Sequence, residues 1–345
     1  MSFTADDEKY MRRALALAEN GRGYVSPNPM VGAVIVSPDG YIIGEGWHRR
    51  FGGPHAEVNA INSVDEHDVD LLPFSTMYVT LEPCSHYGKT PPCADLLIEK
   101  KLKRVVVAIQ DPNPKVSGRG IEKLRQAGVE VEVGLLKDEA YNLNLAFMIS
   151  QVKHIPYVEL KWARSRDGYM DIERGPGEPA YKFSNAQSQQ LVHWRRANYD
   201  AIAIGGRTAV MDNPRLDVRM LDGRSPRPVI FDRQHLANKE NCALLRRPDT
   251  LHITDGSSLY TVLRMLYREY GISSILVEGG AGLLTEFIEE DLWDMAYEEV
   301  VPIDFHEEGV ADAPTMESDF LIDAQKIGAN TVFIYRRYSG DDDEC

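Results

Sequence analysis

Two stretches, His55-Ala-Glu57 and Glu82-Pro-Cys-Ser-His-Tyr-Gly-Lys-Thr-Pro-Pro-Cys93, decide how this chain is read. The imidazole of His55 and the thiolates of Cys84 and Cys93 make three protein ligands, leaving the fourth tetrahedral position of Zn²⁺ to water. Thiolate and imidazole suit zinc better than a hard, oxygen-seeking cation. Bound zinc lowers the pKa of its water to about 7, so a hydroxide nucleophile is available at neutral pH. Glu57, two residues beyond the histidine, is placed to carry protons rather than to bind metal. The competing reading is a closed zinc clip, with His48 or His86 as fourth ligand. A glutamate beside the ligand histidine has no use in such a clip.

The pattern resembles the zinc nucleobase-deaminase signature H-x-E…P-C-x-x-C, with eight residues between the cysteines in place of two. That longer insert is similar to the deaminase half of the bifunctional riboflavin-biosynthesis deaminase/reductase family. Ser26-Pro-Asn-Pro-Met-Val-Gly-Ala33 and Gln110-Asp-Pro-Asn-Pro-Lys-Val-Ser-Gly-Arg-Gly120 extend the resemblance over nearly the whole first part. It implies a cytidine-deaminase-like three-layer α/β domain. It also implies hydrolytic deamination of 2,5-diamino-6-(5-phosphoribosylamino)pyrimidin-4-one, with Glu57 as the proton shuttle. Asn28, His48, His86 and Lys89 match substrate-binding positions, Lys89 and His86 facing the ribose phosphate. Read without the resemblance, Asn28 also suits a turn and Lys89 a solvated loop.

Outward from the motif, residues 6–20 carry a helical apolar stripe. Val31–Val36, a Pro-Asp-Gly turn at 38–40 and a second run from Tyr41 predict a hairpin. Helices are expected from near His55, Pro92 and Gly120, and strands at 76–81, 104–109 and 129–133, giving an α/β layered sheet. The pattern restarts after Asn142–Ser150, which puts the domain cut near residue 147 and divides the chain into 1–147 and 148–345. In the second part, strands are expected at 157–162, 201–204, 228–231, 251–254, 275–277, 295–302 and 331–338, and helices near 185–198, 257–270 and 281–290.

Ser274-Ile-Leu-Val-Glu-Gly-Gly-Ala-Gly-Leu-Leu-Thr285 reads as strand, glycine loop and helix start, a place where phosphate is welcome. It lacks the GxGxxG fingerprint of an ordinary Rossmann domain. With Tyr157-Val-Glu-Leu-Lys-Trp-Ala163, Leu191-Val-His-Trp-Arg-Arg-Ala197, Asp200–Thr208 and Asp212-Asn-Pro-Arg-Leu-Asp-Val-Arg219, it resembles the reductase half of the same family. The resemblance implies a dihydrofolate-reductase-like α/β domain using NADPH to reduce the ribosyl group of 5-amino-6-(5-phosphoribosylamino)uracil to ribityl. Ala163, Thr208, Asp212, Gly279, Gly280, Ala281, Gly282, Leu283, Leu284 and Thr285 match the cofactor site. Lys161, Arg196, Leu216, Arg219 and Glu278 match the substrate site, and Asp212 is the second catalytic candidate, although Asp-Asn-Pro also favours a plain turn. Arg164, Arg166, Tyr169 and Lys182-Phe183-Ser184 depart from the family pattern, which bears on cofactor contacts over 163–184.

The 345 residues suffice for about two domains, and 43% apolar against 26% charged is an ordinary globular mix. The net charge of -15 repels phosphate backbones and speaks against nucleic acid as a partner. No run reaches the ~18 apolar residues of a membrane span. The acidic start, without a secretory pattern, and only four cysteines point to the cytoplasm. Cys242 and Cys345 have no metal-ligand spacing and read as inert. The expected partners are phosphorylated pyrimidines, with a homo-oligomer compatible with the sequence.

Overall fold

Alternation along the strands builds the first unit. In the computed structural model, which describes residues 3–85, 91–113, 117–175 and 178–337, β1 (Gly32–Val36) and β2 (Ile42–Trp47) form the expected hairpin. Parallel strands β3 (Thr76–Val79), β4 (Arg104–Val107) and β5 (Glu130–Val133) complete a sheet of order β2-β1-β3-β4-β5, with β1 and β3 antiparallel. Ala33, Ile35, Met77, Val79, Val105 and Val107 face one way, onto α2 (Ala56–Asn62), α3 (Cys93–Glu99) and α4 (Arg119–Gln126). Val34, Val36, Tyr78 and Val106 face the other way, onto α1 (Ala5–Ala18), α5 (Lys137–Leu143) and α6 (Leu145–Lys153). The period-2 pattern therefore produces three layers.

Thr4 and Asp7 form a capping box at the start of α1. The buried Asp7 carboxylate also accepts from Tyr78 Oη and Arg104 Nη1, both at 2.7 Å, tying the helix to the sheet. Burial works against this carboxylate, but the hydrogen bonds outweigh it and hold its pKa well below the usual range.

The chain divides between Lys153 and His154 rather than near residue 147, because α6 runs unbroken through that position. The second unit contains β6 (Tyr157–Arg164), β7 (Tyr169–Ile172), α7 (Ala186–Asn198), β8 (Ala201–Gly205), α8 (Gly206–Met211) and β9 (Arg227–Phe231). There follow β10 (Leu251–Ile253), α9 (Leu259–Tyr270), β11 (Ser274–Val277), α10 (Ala281–Glu289), β12 (Met295–Val300), β13 (Gly309–Asp312), β14 (Leu321–Ile327) and β15 (Asn330–Arg336). The main sheet runs β10-β9-β8-β11-β6-β12-β15-β14, parallel through β12 and antiparallel beyond. One face packs on α9 and α10, and the other on Ala209, Leu216, Cys242 and Leu244.

Every expected strand is present, several of them shorter. The sequence reading missed β7, β13 and β14. β7 and β13 form a separate two-stranded ribbon, and all but the last residue of β14 is exposed on the sheet edge, so none carries an inward apolar alternation.

Candidate functional site

The three metal-ligand candidates converge where secondary-structure elements begin or end. His55 is the N-cap of α2, Cys93 opens α3, and Cys84 follows β3. Glycine makes this approach possible: a Cβ at Gly46 in β2 would lie 2.3 Å from Ala60 N and 2.6 Å from Ala56 O. Without one, α2 lies directly on the hairpin.

The ligand atoms of His55, Cys84 and Cys93 lie within 4.8 Å of one another. His55 Nδ1 is 3.6 Å from Cys84 Sγ and 3.3 Å from Cys93 Sγ. Tetrahedral zinc at ordinary bond lengths needs N and S about 3.6 Å apart, so the residues fit the ion. The Cys84 thiol is pulled down to about 4, first by the hydrogen bond with Cys93 and, against burial, by the His55 ring. His55 is raised, chiefly by its hydrogen bond with Cys84.

Glu57, in the first turn of α2, is buried beside the cluster, and burial pushes its pKa up to about 7. His48 packs edge-on to His55, ring centroids 5.6 Å apart. Its Nδ1 lies 3.0 Å from Pro54 O, so that nitrogen is the donor, and Nε2 accepts from Asn28 Nδ2 at 3.1 Å. Burial lowers the His48 pKa, favouring the neutral ring that this arrangement requires. Asn28, His48 and Glu57 thus come together at the metal cluster. His86 and Lys89 lie outside the described residues.

Glu82 went unassigned in the sequence reading. Its buried carboxylate accepts from Gly120 N and Ile121 N through Oε1, and from Gly118 N and Asp111 N through Oε2. It therefore fixes the chain two residues before Cys84. The signal was Glu82's place inside the motif, where an acid with no metal role invites a structural one.

The second unit holds a cleft of about 1440 Å³ at the carboxyl ends of β6, β8, β9 and β11, where open parallel sheets place ligands. A single small-molecule pocket occupies ~300–1,000 Å³, so the cleft is large enough for two ligands side by side. Lys161, Ala163, Arg196, Thr208, Asp212, Arg219, Glu278 and Gly280–Leu283 line it. A Cβ at Gly280 would sit 2.8 Å from Thr208 Oγ1, so a side chain there would displace the Thr208 hydroxyl or the turn itself. Among the described residues the N–H groups of Ala281 and Gly282, which open α10, have no hydrogen-bond partner and suit a phosphate, whereas those of Leu283 and Leu284 donate to Gly280 O. These features fit a dinucleotide.

Four expected site residues do not line the cleft. Leu284 is fully buried against the sheet with Phe287, because α10 turns that face inward. Leu216 is packed in the core on the sheet's opposite side. Thr285 lies off the cleft face of α10, and the carbonyl of Gly279 is taken by Gly205 N at 2.9 Å.

The cleft cations are mostly paired. Arg196 grips Glu278 in bidentate fashion, at 2.9 and 2.5 Å. Burial disfavours the Glu278 carboxylate, but Arg196 outweighs it and keeps the pKa low. Lys161 Nζ is 3.8 Å from Glu299, and burial lowers its pKa. Asp212 pairs with Arg174, and Arg219 with Asp217. Of the departures, Arg164 pairs with Glu298 and Arg166 with Asp304, while Lys182 and Phe183 line the cleft.

A hydrolase-type metal centre in one α/β unit and a dinucleotide-sized cleft in the next define a two-domain deaminase/reductase. Residues 4–109 match the cytidine and deoxycytidylate deaminase zinc-binding region, and residues 156–303 match the RibD C-terminal domain. The riboflavin biosynthesis protein RibD of Aquifex aeolicus is 35% identical over 96% of this chain and 99% of its own length. RibD of Bacillus amyloliquefaciens is 38% identical over 86% and 85%. Among solved structures, RibD of Acinetobacter baumannii superposes with a TM-score of 0.86 at 33% identity, covering 96% of this chain and 98% of that one. A Thermotoga maritima diaminohydroxyphosphoribosylaminopyrimidine deaminase/5-amino-6-(5-phosphoribosylamino)uracil reductase gives 0.83 at 36%, with the same coverage. The chain belongs to the RibD family of bifunctional riboflavin-biosynthesis enzymes. Its cofactors are accordingly Zn²⁺ in the first unit and NADPH in the second.

Proposed function

We propose that the chain catalyses two successive steps on one phosphorylated pyrimidine. The first is hydrolytic deamination of 2,5-diamino-6-(5-phosphoribosylamino)pyrimidin-4-one. The second is NADPH-dependent reduction of the ribosyl group of 5-amino-6-(5-phosphoribosylamino)uracil to ribityl. The observation that carries the reading is the buried Glu57 beside the His55, Cys84 and Cys93 triangle.

In the first step, zinc held by these three residues supplies an activated water. The Glu57 carboxylate would take one proton from that water and deliver it to a ring nitrogen, then take the second proton from the new C–OH and hand it to the amine, which leaves as ammonia. A carboxyl poised near neutrality exchanges protons in both directions with little penalty. Asn28 orients the pyrimidine edge, and the fixed His48 tautomer holds Asn28. His86 and Lys89 are assigned to the ribose phosphate.

In the second step, NADPH supplies the hydride to the sugar C1 carbon. The glycine turn and Thr208 would seat the dinucleotide, with Ala163 and Asp212 bordering it. Lys161, Arg196, Arg219 and Glu278 would face the phosphorylated sugar, and Asp212 would polarise the opening ring or protonate its oxygen as the C1–O bond breaks. Leu216, Leu284 and Thr285 support this site from the packing behind it.

The reading includes a cytoplasmic location, in keeping with the sparse cysteines, and no nucleic-acid partner, which the net charge of -15 supports. Incubating the purified protein with the diaminopyrimidine, with and without NADPH, and following both products by mass tests it. Deaminated product alone without NADPH, and ribityl product on its addition, is the expected result. Deamination without any NADPH oxidation would reduce the second unit to a non-catalytic module.

A further inference from the structure

Arg207 is exposed, lines the cleft of the second unit, and makes no hydrogen bond or ion pair among the described residues. Most other cations around that cleft are neutralised. Arg174, Arg196, Arg219 and Arg233 each hold a carboxylate at hydrogen-bond distance, and Lys161 lies near Glu299. Lys182 is the other cleft cation without a partner among the described residues, and it belongs to the wall built from the packed rings of Tyr181 and Phe183.

Arg207 has different neighbours. Gly205 N bonds to Gly279 O at 2.9 Å, and Thr208 Oγ1 lies 2.8 Å from where a Cβ of Gly280 would sit. The segment bearing Arg207 is therefore hydrogen-bonded on one side of Arg207, and in close approach on the other, to the glycine turn that opens α10. In a chain of net charge -15, a dianionic or more highly charged ligand needs a local cation that no carboxylate has already claimed. A guanidinium offers a planar fork of donors matched to phosphate oxygens.

We propose that Arg207 binds a phosphate of the dinucleotide, as a positioning residue of the reductase cleft. The assignment rests on the NADPH-dependent reading of the second unit given above. Two phosphate sources exist on that ligand, the pyrophosphate bridge and the adenosine 2′-phosphate, and the same chemistry recognises either.

The test is direct binding to the full-length protein without substrate, read as fluorescence energy transfer from tryptophan to the reduced nicotinamide. NADPH and NADH are titrated against wild type, Arg207→Ala and Arg207→Lys at low and high ionic strength. Loss of one charge-assisted contact predicts about a tenfold rise in the NADPH Kd for Arg207→Ala, equivalent to about 1.4 kcal/mol. The lysine variant, which keeps the charge but not the fork, recovers part of the affinity, and salt weakens wild type more than Arg207→Ala. An effect confined to NADPH assigns the contact to the 2′-phosphate, and an equal effect on NADH assigns it to the pyrophosphate. Wild-type affinity for both nucleotides in Arg207→Ala, with an unchanged unfolding midpoint, overturns the proposal. Failure of wild type to bind either nucleotide overturns instead the reductase reading, and Arg207's role with it.

Discussion

Replacing Glu82 by glutamine changes one atom and tests how the metal centre is held. The carboxylate receives two N–H groups on each oxygen, one at 2.9 Å and one at 3.3 Å per side. In either orientation the amide keeps one acceptor and turns an NH₂ toward two backbone donors. A hydrogen bond to a charged group contributes ~1.5–3 kcal/mol, and the longer contact less, so the loss is about 2–4 kcal/mol. Against a typical stability of ~5–15 kcal/mol this is substantial. At roughly 2–4 °C per kcal/mol for a domain of this size, the first unit should melt about 5–15 °C lower. Because Cys84 follows two residues later, zinc affinity should fall as well, by about 10–100-fold if Glu82 acts as an outer support of the ligand. Thermal unfolding followed by near-ultraviolet circular dichroism, with zinc content measured after dialysis against a weak chelator, reads both effects. A midpoint within 2–3 °C of wild type (about 1 kcal/mol or less) together with full zinc retention would refute the reasoning.

Glu57→Gln should retain zinc yet lose about 10²–10⁴-fold in deamination, leaving NADPH oxidation on the deaminated intermediate intact; a smaller loss in initial-rate assays would remove Glu57 as the proton carrier. Asp7→Asn should destabilise the first unit by about 1–3 kcal/mol at neutral pH. Because the folded Asp7 pKa is depressed, its contribution is present above the unfolded value of ~3.9 and fades as pH falls below it. Urea midpoints of the two proteins should therefore converge in acid, and a constant gap would contradict the assignment. Gly280→Ala should raise the NADPH Kd about 3–10-fold, since its Cβ meets Thr208 Oγ1 at 2.8 Å and the turn must shift; calorimetric titration checks it, and unchanged affinity would show that the turn yields freely.

The sequence by itself determined the apolar strand runs, though not β7, β13 and β14, together with the β1–β2 hairpin and the candidate metal-ligand set, because these rest on local signals. Short continuous apolar runs, buried on both faces, write β1, β3 and β4 into the chain, and the spacing of His55, Cys84 and Cys93 has few readings besides a metal. Ribosyl chemistry and cofactor choice came from resemblance over longer segments, not from local physics. Tertiary structure decided whatever depends on a partner distant in sequence. Leu216 and Leu284 match site positions in sequence yet point into cores, because the facing sheet fixes which side of a segment is inward. Glu82 acquired its role from backbone donors between Asp111 and Ile121, which no motif spacing reveals. The same holds for charge. Lys161, Arg196 and Arg219, matched to the substrate site by sequence, do line one cleft, but each comes with a carboxylate partner, Glu299, Glu278 and Asp217 respectively. A residue's formal charge is local to the sequence, whereas its neutralisation depends on which carboxylates folding brings near, and that left Arg207 free at the glycine turn.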